Sequence, residues 1–125
     1  MKSAITLYIV LVAVLSPGPA VTYYAEVPHE TVTHVTFAKV SAYTSDPLET
    51  DDTPTITASG STTRHGIVAN NCLEFGSEVE IQGKVYVVED RMNSRYGCER
   101  YDIWMLDKVQ AIQWGVQELA VKILR

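Results

Sequence analysis

The sequence lacks the features that mark several large protein classes. Its 125 residues include only two cysteines, with no internal repeat, no glycine-rich phosphate loop and no zinc-binding motif. The chain is too short for a TIM barrel, or for a Rossmann domain with a second substrate domain. Ten basic residues against fifteen acidic ones give a net charge of −5 without a basic patch, so we expect no nucleic-acid partner. These limits leave a single small domain.

The N-terminus has the features of an export signal. Lys2 precedes an uncharged run, Ala4 to Leu15, and small residues and prolines follow as far as Ala20. We predict a signal peptide over residues 1–20 and a linker over residues 21–34. An uncleaved anchor is the alternative, but the run is shorter than the roughly 20 apolar residues that span a bilayer. We therefore expect no stable membrane span and an exported protein, in the periplasm, the cell wall or the medium.

Export determines how the two cysteines are interpreted. Cys72 and Cys98 are an even pair in an oxidising compartment, so we predict a disulfide between them. The alternative is a nucleophilic Cys98, because Gly97-Cys98-Glu99-Arg100 is similar to the Gly-Cys-x-Arg motif of L,D-transpeptidases. That family also needs a histidine just upstream, and none of the three histidines lies there.

Short alternating or apolar stretches between turn residues predict about six β-strands. They cover residues 35–44, 67–69, 78–81, 84–89, 101–105 and 119–124. Gln82-Gly83 predicts a tight hairpin turn. Many short strands with one helix are typical of a small β-barrel, so we predict a mainly β fold of this kind over residues 35–125.

The only convincing helix covers residues 108–114. Asp107 is a good N-cap, and Gly115 is a typical stop residue. Val109 and Ile112 lie on one face of this helix, with Val116 just beyond its end as a further candidate for that face, and we expect the helix to plug one end of the barrel.

Two groups of residues raise the question of a metal site. Asp46, Glu49, Asp51 and Asp52 cluster in one loop, but they lack the glycine and terminal glutamate of a calcium-binding EF-hand loop. His29 and His34 have no third ligand nearby. We expect solvated side chains and no metal or other cofactor.

Two aspartates form the best candidate for a catalytic site. Asp90 ends an apolar strand, and Asp102 lies near the start of the next one. Burial and a second carboxylate both raise the pKa of an aspartate, so such a pair can keep one acid protonated as a proton donor. The structural alternative is that Asp90 caps loop amides while Asp102 pairs with Arg91 or Arg100.

Seven short motifs occur in order between residues 36 and 124. They are TASG (57–60), GIVANN (66–71), FG (75–76) before VEI (79–81), VEDR (88–91), YDIW (101–104), Ala111 with WG (114–115), and VKIL (121–124). This series, preceded by SAYT (41–44), resembles the three-aspartate (3D) domain. That domain is similar to the C-terminal part of membrane-bound lytic transglycosylase A and to rare lipoprotein A. The resemblance implies a six-stranded double-psi β-barrel that cleaves peptidoglycan glycan strands.

The resemblance carries two of the three family aspartates onto this chain. Asp90 and Asp102 match them, whereas the third falls at Asn70-Asn71, where no carboxylate is present. Catalysis by three carboxylates is therefore excluded, but catalysis by one or two is not.

Together these observations predict a monomeric lytic transglycosylase with Asp90 and Asp102 as catalytic residues. Its predicted partner is the peptidoglycan glycan strand. Asn70 or Asn71 is expected to hold the sugar, and Tyr43, Tyr101 or Trp104 to stack on it. The alternative is a non-catalytic wall-binding module similar to expansins, which the missing aspartate favours.

Overall fold

The computed structural model describes residues 34–48, 50 and 52–124. The predicted signal peptide, nearly all of the predicted linker, and His29, Glu49 and Asp51 lie outside the described residues. Within the described part, no helix has the length and hydrophobicity that crossing a membrane requires.

The described residues form a closed six-stranded barrel with one short helix. The strands follow the barrel in the order β1-β5-β2-β4-β3-β6. The predicted mainly β barrel is therefore confirmed. The elements are β1 (His34–Tyr43), β2 (Ile67–Ala69), β3 (Glu78–Ile81), β4 (Lys84–Asp90), β5 (Arg100–Trp104), α1 (Lys108–Trp114) and β6 (Gln117–Ile123).

The barrel combines parallel and antiparallel strand pairs. Strand β1 is parallel to β5, and β2 is parallel to β4, whereas the other neighbouring strands are antiparallel. Strand β2 thus lies between β4 and β5, which carry Asp90 and Asp102. This central position of β2 is what brings the two aspartates to one part of the barrel.

The barrel core follows the period-two alternation of the strands. Ala38 and Val40 of β1 point inward, while the alternate residues, Phe37 and Lys39, are exposed. The core cluster contains Ala38, Val40, Val68, Val79, Ile81, Val88, Tyr101, Ile103 and Val121.

The predicted hairpin joins β3 to β4. Ile81 pairs with Lys84, and the two residues between them, Gln82 and Gly83, have φ angles of 51° and 76°. Two successive positive φ angles characterise the type I′ turn, whose twist matches that of the strands it connects.

The helix begins and ends as predicted, but its exposed face is not the one expected. Asp107 accepts a hydrogen bond from the Gln110 amide, and the Gly115 amide donates to the Ala111 carbonyl. Ala111 is the buried residue of the helix. The indole Nε1 of Trp114 donates to the carbonyl of Val40 at 3.1 Å, which directs this side toward β1.

The apolar helix face therefore points to solvent, which corrects the expectation that it closes the barrel. Val109, Ile112 and Val116 are each more than 60% exposed. A helix of two turns has room for only one packed side, and Ala111 and Trp114 occupy it.

The predicted disulfide is confirmed. Cys72 and Cys98 are bonded, with Cα atoms 5.2 Å apart and 26 residues of sequence separation. The alternative of a nucleophilic Cys98 is wrong, because its sulfur is bonded to Cys72 and no thiolate is available.

Candidate active site

One cleft of about 570 Å³ contains both predicted catalytic residues. Asp90 and Asp102 line it together with Tyr43 and Ala69 of the neighbouring strands. The remaining lining residues come from two loops: Thr50, Thr53, Pro54 and Ile56 from the first, and Arg91, Met92, Asn93, Arg95 and Tyr96 from the second.

The register of β2 sets the position of the aspartates. Ala69 is the partner of Asp90 on one side and of Asp102 on the other. The backbones of the two aspartates are therefore about 9–10 Å apart, which is two strand spacings. A short side chain at Ala69 leaves the space between the two carboxylates open to the cleft.

A register shift selects Asp90 for this place. Val68 pairs with Val88, but the next residue, Ala69, pairs with Asp90 rather than Glu89. The extra residue on β4 is typical of a β-bulge, which redirects side chains next to functional sites. Without it, Glu89 would stand opposite Ala69.

Asp90 accepts three hydrogen bonds. Its Oδ2 accepts from the Tyr43 hydroxyl at 2.6 Å, and its Oδ1 accepts from the backbone amides of Ala58 and Arg91, both at 2.9 Å. The two amide bonds are the capping role that we considered as the structural alternative. They also hold the carboxylate in one orientation at the cleft wall.

Asp102 lies on β5, and a residue of the neighbouring strand β1 holds its side chain. Its register partner is Ser41, and the Ser41 hydroxyl lies 3.1 Å from Asp102 Oδ1, to which it donates. The two catalytic candidates are thus held by β1 side chains two residues apart, Ser41 and Tyr43. Side chains at this spacing lie on the same face of a strand.

The phenol of Tyr43 stays protonated in this environment. Burial, the hydrogen bond to Asp90 and the negative charges of Asp90 and Asp102 all raise the pKa of Tyr43 far above its ordinary value. Tyr43 is therefore a hydrogen-bond donor to Asp90. Its side chain also lines the cleft, and its predicted stacking on a sugar stays a prediction.

An ion pair next to the cleft holds the loop that carries the Ala58 amide. Arg64 donates to both carboxylate oxygens of Glu89 at 2.6 Å, and the Ser61 hydroxyl donates to Glu89 at 2.6 Å. The Arg64 bonds are the main reason that the pKa of Glu89 is lowered; burial opposes this, and the Ser61 bond adds to it. The pair ties residues 57–64 to β4, immediately before Asp90.

The two asparagines build the frame of the site. Asn70 is fully buried; its Nδ2 donates to the carbonyls of Cys98 and Arg100, and its Oδ1 accepts from the amides of Cys72 and Leu73. Nδ2 and Oδ1 of this amide thus each take part in two hydrogen bonds. Its predicted contact with a sugar is corrected to a structural role, because no part of the side chain reaches solvent.

Asn71 fixes the second cleft loop. Its Nδ2 donates to the carbonyls of Asn93 and Tyr96 at 3.0 and 3.1 Å, and its Oδ1 accepts from the Met92 amide at 2.8 Å. Asn71 is not among the residues that line the cleft, so we assign it the positioning of this loop.

Two of the three predicted stacking residues lie elsewhere. Tyr101 is 2% exposed and belongs to the barrel core. Trp104 is 6% exposed, and its indole Nε1 donates to Ser45 in a separate cavity beyond the cleft. The alternation along β5 explains the position of Tyr101, because the residue next to Asp102 points to the opposite face of the strand. Trp104 is two residues beyond Asp102, at the end of β5, and its contact with Ser45 holds it outside the cleft.

The acidic loop does not assemble a metal site in the described part of the chain. Asp46 accepts from the Leu48 amide and forms an ion pair with Lys108. No group of three or more His, Cys, Asp or Glu side chains among the described residues is arranged to hold a metal ion.

Three residues of the site were missed by sequence reasoning. Ser41 orients Asp102, while Arg95 and Tyr96 line the cleft. Ser41 lies two positions before Tyr43 on a predicted strand, a spacing that could have indicated it. Nothing in the sequence pattern indicated that Arg95 and Tyr96 line the same cleft as the two aspartates.

Neither protein-family models nor curated proteins identify a relative of this chain. A scan against protein-family models finds no match, and no curated protein matches the chain. The resemblance to the three-aspartate domain therefore stays a prediction.

Proposed function

We propose that this protein is an exported enzyme that cleaves peptidoglycan glycan strands as a lytic transglycosylase. The observation that carries the proposal is the placement of Asp90 and Asp102 on either side of Ala69, in one cleft. Most enzymes that hydrolyse glycosidic bonds use two carboxyl groups that flank the bond to be broken. The disulfide fits an oxidising compartment, which supports export.

The contacts of the two aspartates suggest different roles. Asp90 accepts hydrogen bonds on both oxygens, an arrangement suited to a fixed negative charge. We assign Asp90 the stabilisation of positive charge that develops at the anomeric carbon. Asp102 is then the acid–base residue, with Ser41 as its positioning partner.

The reaction balances without water. Asp102 gives its proton to the glycosidic oxygen as the bond from the anomeric carbon of N-acetylmuramic acid breaks. The C6 hydroxyl of the same sugar attacks that carbon, and its proton passes to the Asp102 carboxylate. A 1,6-anhydro ring forms, the shortened strand leaves, and the acid is restored.

Tyr43 is a positioning residue in this scheme. Its hydroxyl holds Asp90 Oδ2, and its raised pKa keeps it a neutral donor across the working pH range. A neutral phenol next to Asp90 adds no charge of its own and fixes the direction of the carboxylate toward the reacting carbon.

The test is incubation of the purified protein with sacculi, followed by a search for 1,6-anhydro-muropeptides by mass spectrometry. We expect these products from the wild type, a loss of about 10²–10⁴-fold in rate for Asp102→Asn, and a smaller loss for Asp90→Asn. Glu74→Gln is the control, because this exposed carboxylate lies outside the cleft. Thermal unfolding of each variant separates lost chemistry from lost folding, and products that survive in both aspartate variants would refute the assignment.

A wall-binding module is the second candidate. The observation in its favour is that Asp90 caps the amides of Ala58 and Arg91, a structural use of that carboxylate. It predicts that the protein sediments with sacculi but releases no anhydro products. Sedimentation and product analysis of the same samples therefore decide between the two candidates.

A further inference from the structure

The cleft has a basic wall as well as an acidic one. Asp90 and Asp102 line it from the strands, whereas Arg91 and Arg95 line it from the 91–96 loop. An anionic substituent on a ligand is repelled by the carboxylates and attracted by the arginines. The charge pattern therefore orients any ligand that carries its negative charge at one end.

The loop that carries the arginines is held in shape before a ligand arrives. Asn71 binds its backbone at Met92, Asn93 and Tyr96. Within the loop, the Arg95 amide donates to Asn93 Oδ1 at 3.0 Å, and the Tyr96 amide donates to the Asn93 carbonyl at 3.0 Å. A loop with this many internal bonds loses little freedom on binding, which favours affinity.

The two arginines differ in what they are used for. Arg91 donates to the Asn70 carbonyl at 2.7 Å, and its guanidinium lies 3.9 Å from the centroid of the Phe75 ring, so it is part of the frame. Arg95 is exposed. Its Nη2 donates to the Tyr96 hydroxyl at 2.8 Å, and its Cζ lies 4.8 Å from the Tyr96 ring centroid.

Tyr96 holds Arg95 while leaving donors for a ligand. The Tyr96 ring also contacts Arg100, whose Cζ lies 4.6 Å from the ring centroid, and this contact helps to fix Tyr96. An arginine has five N–H donors in a planar fork, and the contact with the Tyr96 hydroxyl uses one of them. A fork positioned in this way matches a carboxylate, which it can bind through two parallel hydrogen bonds.

We propose that Arg95 binds a carboxylate of the glycan substrate and so determines which glycan strands the cleft accepts. This inference rests on the proposed function, since it names the substrate feature read by the same cleft. Two sources supply such a carboxylate in peptidoglycan: the lactyl group of a muramic acid without a stem peptide, and the stem peptide itself. Both have the chemistry that the fork recognises.

The experiment measures binding and turnover on four substrates. Soluble glycan strands are prepared with stem peptides and without them, and each set is used with native carboxylates or with carboxylates converted to neutral primary amides. Dissociation constants are measured by calorimetry in the Asp102→Asn background, and KM and kcat with Asp102 intact. Arg95→Gln is compared with Arg95→Lys and with Lys84→Gln. Lys84 is the exposed first residue of β4, and its replacement by Gln removes the same charge outside the cleft.

We expect Arg95→Gln to weaken binding to native strands about tenfold to a hundredfold and to raise KM, with kcat little changed. Arg95→Lys restores part of this loss, and Lys84→Gln has no effect. On amidated strands, all variants bind equally. A loss confined to peptide-free strands identifies the lactyl carboxylate, and a loss confined to peptide-bearing strands identifies the stem.

Equal binding of native and amidated strands by the wild type overturns the inference. So does an Arg95→Gln variant that behaves like Lys84→Gln on native strands. If the wild type releases anhydro products in either case, the proposed function stands and only the inference fails. If no products form but binding depends on Arg95 and on the carboxylate, the enzymatic proposal fails and the carboxylate contact belongs to a binding module.

Discussion

The hydroxyl of Tyr43 donates a 2.6 Å hydrogen bond to Oδ2 of Asp90, across 47 positions of sequence. This contact connects β1 to the end of β4, although β5 and β2 lie between these two strands in the barrel order. It couples the first strand of the barrel to one of the two catalytic candidates. Its removal is therefore the most direct test of whether the geometry of Asp90 matters for activity.

Tyr43→Phe removes the bond and leaves the ring in place. We expect a fall of about tenfold to a hundredfold in kcat, because a hydrogen bond to a charged group contributes about 1.5–3 kcal/mol. The measurement is the rate at which anhydro products are released over a range of pH. An altered pH profile would indicate that Asp90 is affected by the loss of its hydrogen bond. Tyr86→Phe is the matched control, since this half-buried tyrosine on β4 lies outside the cleft.

The same tyrosine predicts a loss of stability at alkaline pH. Because the pKa of Tyr43 is raised in the folded protein, the unfolded chain loses its phenol proton first as the pH increases. The stabilisation is fully present below the ordinary tyrosine pKa of about 10 and declines above it. Denaturant unfolding between pH 8 and about 11 should show this decline, with a smaller slope in Tyr43→Phe.

A residual slope in that variant is expected from two other tyrosines. Burial also raises the pKa of Tyr86 and of Tyr101. Equal slopes in wild type and Tyr43→Phe would contradict the link between Tyr43 and its carboxylate neighbours.

The Arg64–Glu89 pair predicts the opposite dependence, at acidic pH. The pKa of Glu89 is lowered in the folded protein, mainly by hydrogen bonds from Arg64. Its contribution is present above the ordinary glutamate pKa of about 4.3 and is lost as the pH falls through the lower, folded value. In Arg64→Gln, the free energy of unfolding, measured with denaturant, should depend less on pH below about pH 4.5 than in the wild type. Near neutral pH, its dependence on pH should be the same in both proteins.

Removal of the disulfide tests the stability of the frame around Asn70. The Cys72→Ser/Cys98→Ser double variant opens a loop of 26 residues, which should lower the free energy of unfolding by about 3.5 kcal/mol. Denaturant unfolding measures it, with the reduced wild type as a second sample. A change below about 1 kcal/mol would show that the Asn70 hydrogen bonds hold this region without the bridge.

An aspartate at position 70 should damage the fold rather than improve catalysis. Asn70→Asp replaces the Nδ2 donor, which serves the Cys98 and Arg100 carbonyls, with an oxygen that repels them. We expect a loss of about 3–5 kcal/mol in the free energy of unfolding, because a buried charge is left uncompensated. Gln113→Ala, on the exposed side of α1, is the control, and a stable Asn70→Asp variant with higher activity would contradict this view.

Local patterns in the sequence determined the elements of this protein. The alternation in β1, the Gln82-Gly83 turn, and the Asp107 and Gly115 helix ends depend on neighbours a few residues away, so they could be predicted correctly. The disulfide was predictable for another reason: two cysteines allow one pairing. The aspartate pair was found from strand-end positions and motif resemblance, and the structure places both members in the same cleft.

Only the tertiary structure decided which side chains reach that cleft. The bulge that puts Asp90 rather than Glu89 beside Ala69, the burial of Asn70, and the inward direction of Tyr101 depend on strand register and barrel closure. These are properties of pairs of strands far apart in sequence, and a shift of one residue reverses which side chains face the core. The position of Arg95 in the cleft has the same origin, because the sequence of a loop does not show against which surface the loop folds.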